Sequence, residues 1–325
     1  QLLIVHHSIG IDIEEFILSI PDPKVMIYHN ITPAEHFPAH HPARFFCRLG
    51  REQLAAWPRH FLGAIADSEL NATELNALGY APIRVIPLLL DLEQFVRAPW
   101  KSDLPGALPQ GTHLLFIGRI AENKRQHLLI DMLHELQSLL PSRSLHLHLV
   151  GGISSSDYHS QLLDRIEQLK LNGHVHLPGK VDDETLRAFY RAADVFVCMS
   201  EHEGFGIPLI EAMSLDLPVV AYASSNIPNT LGEGGVLLAE DNPKLMAHSV
   251  RDILLNPRLR LELRQAQRRN LQRFHPENLR AQLIDFFAEL GYDLSPMNSP
   301  EAPNQPPQHT LDIRIEGPLD SSFSL

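Results

Sequence analysis

Three short stretches of this sequence carry residue types whose spacing could do chemistry. In Gly118-Arg119-Ile120-Ala121-Glu122-Asn123-Lys124, two cations stand five positions apart just after an apolar run. On a loop between a strand and a helix they could hold a diphosphate, with the helix N-terminus adding about half a positive charge. Two solvated surface cations would fit the same residues. Glu203-Gly204-Phe205-Gly206-Ile207-Pro208-Leu209-Ile210-Glu211 is the second stretch. Its glycines would let backbone N–H groups approach a ligand closely, and its carboxylates would accept hydrogen bonds from hydroxyls. A tight turn with a dipole-favoured glutamate at a helix start is the plain alternative. The third is Tyr28-His29-Asn30-Ile31-Thr32-Pro33, where His29 could donate to a substrate or take a proton. The chain has 19 histidines, so one alone carries little weight. His146/His148 and His174/His176 each put two rings on one strand face, too few ligands for a metal site.

Two familiar nucleotide motifs are excluded. Gly204-Phe205-Gly206 is followed by Leu209 where a dinucleotide fingerprint needs Gly or Ala. Gly179-Lys180 lacks an upstream glycine at P-loop spacing and has Val181 where Ser or Thr would hold magnesium.

The elements that must position these stretches follow a strand–helix rhythm. Strands are expected at 2–5, 25–28, 64–66 and 84–90, with helices at 43–60 and 70–78. Proline and glycine then punctuate 99–112, and the rhythm restarts. Strands are expected at 114–117, 145–150, 175–177, 195–198 and 219–222. The helices between them fall at 127–140, 162–171, 184–193 and 207–215. Three more helices, 243–255, 257–273 and 276–290, each open on a proline. This alternation predicts an α/β fold with parallel sheet. The stretch 295–308 is rich in proline and reads as a linker, while 311–315 alternates like a new strand.

Composition bounds the remainder. The chain has 325 residues, 44% of them hydrophobic, which suggests about two domains with buried cores rather than a disordered segment. A formal net charge of −12 argues against nucleic acid as the main partner. Two cysteines give no disulfide framework and suit a reducing interior. No apolar run approaches membrane-spanning length, and the opening residues lack the pattern of a signal peptide.

Taken together, these stretches resemble the retaining glycosyltransferases of family 4 (glycosyl transferases group 1), which have the GT-B fold. The resemblance spans roughly 113–290 and, more weakly, 2–95. Its most specific element is Glu203-Gly-Phe-Gly-x4-Glu211, with Gly118-Arg119-x4-Lys124 second, in the family's order and spacing. Val150-Gly151-Gly152, Pro178-Gly179-Lys180-Val181, Ala193-Asp194-Val195 and Asp67-Ser68 add support. The fold it implies is two Rossmann-like domains facing a cleft, the N-terminal one incomplete.

The resemblance also implies roles. His29, Arg119, Lys124 and Glu203 would be catalytic: Arg119 and Lys124 on the donor diphosphate, Glu203 on hydroxyls of the transferred sugar, and His29 near the anomeric centre. Gly118, Gly151, Gly152, Gly204, Phe205, Gly206 and Ile207 would bind the donor through backbone. Lys180 and Val181 would line the base pocket, and Glu211 would hold the ribose. No metal and no cofactor is expected, only a nucleotide-diphosphate sugar as donor substrate. The partners implied are that donor, a glycan or lipid-linked glycan acceptor, and a further glycosyltransferase domain in the same polypeptide. The expected activity is metal-independent hexosyl transfer with retention, mannose being the first choice of sugar. A non-catalytic nucleotide-sugar-binding module is the alternative. The expected location is cytoplasmic, peripheral to the inner membrane face.

The division expected is a partial acceptor-side domain at 1–98, a linker at 99–112, and a nucleotide-sugar domain at 113–275. A C-terminal helix at 276–294 and a proline-rich linker at 295–309 follow. The opening of another glycosyltransferase domain, at 310–325, completes it. A family N-terminal domain begins with a strand and a glycine-rich loop that Gln1 comes too late to supply, so the chain reads as a segment of a tandem enzyme.

Overall fold

The computed structural model describes residues 1–293 apart from Pro38 and His40. The expected linker at 295–309 and the strand after it lie outside the described residues.

The described residues form two parallel sheets. The first contains β1 (Leu3–His7), β2 (Lys24–Tyr28), β3 (Gly63–Ala66) and β4 (Ile83–Val85), side by side in chain order. The second contains β5 (Thr112–Ile117), β6 (Leu145–Val150), β7 (Val175–Gly179), β8 (Val195–Cys198), β9 (Val219–Tyr222) and β10 (Val236–Leu238). Its spatial order is β7-β6-β5-β8-β9-β10. The chain therefore winds outward from β5 in one direction, then returns to β8 and winds in the other. The crevice outside the carboxyl ends of β5 and β8 is the topological switch point, where open α/β sheets bind ligands.

Burial explains why these runs become strands. Every residue of β6 and of β8 is buried, as expected for parallel strands covered on both faces. Helices Gln126–Leu139 and Pro243–Leu255 supply Leu129, Met132, Leu133, Met246, Val250 and Ile253 to the same core. In the first sheet one face packs on helix Pro42–Ala56 through Cys47 and Leu54, with Trp57 at the helix C-cap beside them. Its other face, with Val25, Ile65 and Ile86, is covered by Leu279, Phe286 and Phe287. Those residues belong to the C-terminal helix Pro276–Glu289, so the end of the described chain ties back to its beginning.

The structure corrects several sequence expectations. The helix expected over 43–60 ends at Ala56, and Pro58 opens a separate 3-10 turn, Pro58–His60. The strand expected over 84–90 is only Ile83–Val85: Ile86 still donates to Ala66, but Pro87 has no N–H to continue the ladder. The helix expected over 162–171 begins at Ser156, where the Ser155 hydroxyl accepts from the Tyr158 amide at 3.3 Å. Short elements that the pattern did not announce are helices Glu14–Ser19, Leu92–Arg97, Leu104–Ala107 and Ile227–Leu231, together with β10.

Candidate functional site

The loops that follow β5 and β8 grow from the switch point. Gly118 follows β5 and its amide donates to Val150 O at 3.0 Å, while Ile120 N reaches Gly152 O at 2.8 Å. A Cβ on Gly151 would stand 2.1 Å from Gly118 O, so only glycine permits this approach of the two strand ends. Gly118, Gly151 and Gly152 therefore form a bare backbone rim. Lys180 is exposed just past β7, with its Cβ 4.0 Å from where a Gly152 Cβ would be; Val181 beside it is half-buried against the core.

Beyond Gly118 the chain makes the 3-10 turn Glu122–Lys124, then passes through Arg125 in the left-handed region (φ 49°) into helix Gln126–Leu139. Ion pairs from Arg125 to Glu201 (2.8 Å) and to Asp241 hold that junction. Gln126 fixes the loop from below, its amide donating to Arg119 O at 2.7 Å. As a result Lys124 Nζ sits 2.6 Å from Glu203 Oε1, both side chains mostly buried (13% and 17% exposed). Arg119 lies beside them with its guanidinium 6.0 Å from the Phe37 ring centroid. Burial lowers the Arg119 pKa from its ordinary value, and the Glu203 charge opposes that fall.

The loop after β8 is pinned at several points. Ser225 Oγ donates to Glu203 O at 2.8 Å, and Thr230 donates to Phe205 O. The buried Phe205 ring packs edge-on against Phe274. Gly206, at φ 84°, makes the left-handed turn into helix Ile207–Ser214, whose first turn carries Pro208. In that first turn Pro208 has no N–H and Leu209 N donates to Gly206 O at 3.0 Å, so the N–H groups this turn can present are those of Ile207 and of Phe205 and Gly206 before it. Glu211 sits one turn in and is only 8% exposed; its Oε2 accepts from Tyr190 OH at 2.7 Å. Burial raises its pKa, partly countered by the Tyr190 hydrogen bond.

Across the cleft, His29 follows β2. Its Nδ1 lies 3.5 Å from Asp67 Oδ2 and its Nε2 lies 2.8 Å from His6 Nδ1. Asp67 is almost fully buried, and burial raises its carboxyl pKa while His29 draws it down. The His29 carbonyl would be 3.3 Å from a Cβ at Gly204, so the two domains meet backbone to backbone. Asn30, the next residue, accepts from His202 Nε2 at 2.9 Å.

His29, Arg119, Lys124, Glu203 and the glycine turns thus surround one cleft, Lys180 and Val181 lie toward its β7 side, and Glu211 is the most enclosed. Sequence reasoning passed over His6, Asn30, Tyr190 and His202. Asn30 and His202 adjoin chosen residues, but their pairing across the cleft has no local signal. The histidine pairs also gain a neighbour: His113, His146, His148 and His176 form a ladder over β5, β6 and β7, with His148 and His176 rings 4.8 Å apart. No group of three or more His, Cys, Asp or Glu among the described residues is arranged to hold a metal ion.

A cleft between two Rossmann-like sheets, with cations and a glutamate at the switch point, defines a GT-B type protein. The model of the family "Glycosyl transferases group 1" matches residues 107–270, and the chain belongs to that family. Mannosylfructose-phosphate synthase of Agrobacterium fabrum is 37% identical over 167 residues, covering 50% of this chain and 35% of that protein. D-inositol 3-phosphate glycosyltransferase of Jonesia denitrificans is 31% identical over 240 residues, covering 70% and 56%. The chain thus spans between about a third and just over half of these relatives. Among solved structures, Anabaena Alr3699/HepE in complex with UDP-glucose has a TM-score of 0.68 at 21% identity, covering 82% of this chain and 72% of that one. Sucrose-phosphate synthase from Thermosynechococcus elongatus has a TM-score of 0.70 at 21% identity, covering 89% and 73%. No helix among the described residues is long and apolar enough to cross a membrane.

Proposed function

We propose that this chain takes part in the transfer of a sugar from a nucleotide-diphosphate sugar to a hydroxyl of a glycan acceptor. The observation that carries the reading is the mostly buried Lys124–Glu203 pair at the switch point, with Arg119 beside it. A lone buried ion pair is a poor stabiliser, because desolvation offsets much of the attraction. Placed at a ligand-binding crevice, the same groups become available to a diphosphate and to sugar hydroxyls. Anabaena Alr3699/HepE, which shares this fold, is in complex with UDP in one structure and with UDP-glucose in another, and this supports a nucleotide-sugar donor.

In this reading Arg119 and Lys124 bind the diphosphate, and Glu203 orients the sugar. Glu211 accepts from the ribose, and Lys180-Val181 flank the base. The bond from the anomeric carbon to the diphosphate oxygen breaks through an oxocarbenium-like state, and the charge gathers on the leaving diphosphate. Two fixed cations and the end of helix Ile207–Ser214 stabilise that charge, which is the service a metal ion performs elsewhere. The acceptor oxygen forms the new bond on the same face, its proton passing to the departing phosphate oxygen, and configuration is retained. His29 faces the donor sugar. The donor we favour is GDP-mannose and the acceptor a growing glycan, presented on a lipid at the cytoplasmic face of a membrane. Residues 1–98 then serve the acceptor side, 113–275 the donor, and a neighbouring transferase domain would follow in the full polypeptide.

A panel of GDP- and UDP-sugars, scored for nucleotide release with and without a mannan-type acceptor, tests this. Release that depends on acceptor supports transfer. Binding without release in the full-length protein would leave a nucleotide-sugar-binding module instead.

A further inference from the structure

Four side chains make a directed chain of hydrogen bonds that ends on the opposite domain. Asn71, fully buried, donates through Nδ2 to Tyr28 O at 3.3 Å and also to Asp67 Oδ1. A backbone carbonyl can only accept, so this contact fixes which end of the Asn71 amide is which. Its Oδ1 must then accept, and Asn30 Nδ2 donates to it at 2.7 Å. That leaves Asn30 Oδ1 as an acceptor facing the cleft, where His202 Nε2 meets it at 2.9 Å. The His202 ring must therefore carry its proton on Nε2. Burial and the Lys124 charge push the His202 pKa down to about 4, so the ring is neutral and has a single N–H to give.

The surroundings are built around this contact. Asn30 holds a left-handed backbone (φ 71°), a conformation that asparagine tolerates better than other side chains but that still costs energy. It is 8% exposed, and Gly204 leaves it room, since a Cβ there would lie 3.1 Å from Asn30 Cβ. The His36 ring, also from the first domain, is 5.9 Å from the His202 ring. On its own side, His202 O accepts from Lys124 Nζ at 3.4 Å, and the next residue is Glu203. On the other, Asn30 follows His29, and Asp67 contacts both His29 and Asn71.

We infer that Asn30 and His202 are positioning residues that lock the two domains at the spacing where His29 opposes the Lys124–Glu203 pair. Neither touches the reacting atoms. They act through the residues beside them, and the inference rests on the transfer reading only for its kinetic consequence.

Spin labels at exposed Arg59→Cys in the first domain and Asp164→Cys in the second report the spacing directly. The unsubstituted interface should give one narrow distance distribution. His202→Leu should broaden and shift it. Asn30→Gly, which keeps the left-handed backbone available, should do the same, and the double variant should add nothing. His202→Gln retains an N–H donor and should restore the narrow distribution. Unchanged distances in His202→Leu would overturn the inference, as would a histidine NMR spectrum showing His202 protonated on Nδ1. With donor and acceptor supplied, His202→Leu should lower kcat about a hundredfold, the scale of a 1 Å misplacement, with nucleotide affinity held within about threefold. Equal loss in His202→Gln would also count against it. Absence of nucleotide binding by the unsubstituted protein would defeat the transfer reading, while the distance measurement would still judge the lock.

Discussion

Lys124 and Glu203, 79 residues apart in sequence, meet at 2.6 Å and neutralise each other at the mouth of the switch point. The groups proposed for the diphosphate and for the sugar are thus partners of each other. Their separate substitution should therefore act differently on a nucleotide that lacks a sugar. Lys124→Ala removes a charge-assisted contact of about 1.5–3 kcal/mol and should weaken GDP or UDP binding roughly 10- to 150-fold. Glu203→Gln releases Lys124 from its counter-ion and should leave that affinity equal or tighter, while reducing transfer. Titration calorimetry at fixed salt reads both; equal weakening by the two variants would refute the division of roles.

Two glycines at the cleft should separate folding from function. Gly151→Ala puts a Cβ 2.1 Å from Gly118 O inside the rim of the second sheet, so backbone must move. Overpacking of this kind costs about 1–3 kcal/mol or more, visible as a lower urea midpoint. Gly204→Ala meets Asn30 Cβ at 3.1 Å and His29 O at 3.3 Å, both on the other domain. Its cost falls on domain approach, so the unfolding free energy from urea titration should hold within about 0.5 kcal/mol while turnover drops.

The sequence showed most of what local pattern controls. β6, β8, β9 and helix Pro243–Leu255 fall where expected, because fully apolar runs and a proline start are strong signals. β10 and helices Leu92–Arg97 and Ile227–Leu231 were not visible, being three to six residues long and stabilised by what packs on them. The site divides likewise. Arg119 and His29 stand in recognisable stretches, whereas their fixing partners Gln126 and His6 are ordinary residues until the fold brings them near. Asn30 and His202 lie 172 positions apart, and no periodicity links them.

Tyr190 gives the buried Glu211 its hydrogen bond, and burial already favours the protonated carboxyl. Tyr190→Phe removes the donor and should raise the Glu211 pKa further. If ionised Glu211 accepts from a nucleotide ribose, affinity in this variant should fall more steeply between pH 7 and pH 5 than in the unsubstituted protein. Parallel pH profiles of UDP and GDP affinity would instead separate Glu211 from the nucleotide.

The histidine ladder should make the second domain less stable in acid. His148 is buried against His176, His113 and Phe189, and its pKa is lowered to about 3 by burial and by the neighbouring rings. His113, His146 and His176 are lowered too, chiefly by burial, and Asp194 opposes the shift at His113. The fold disfavours the charged form of all four rings, most strongly at His148, whereas the unfolded chain takes up protons below about pH 6.5. For His148, unfolding is therefore favoured as pH falls from 6.5 toward 3, by up to about 1.4 kcal/mol per pH unit, and the other three rings push in the same direction. His148→Gln cannot be protonated, so it should lower stability at pH 7 yet flatten the decline between pH 6 and pH 4 by close to one proton. Urea titrations across that range measure the slope, and an unchanged slope in the variant would show that His148 takes up its proton in the folded state.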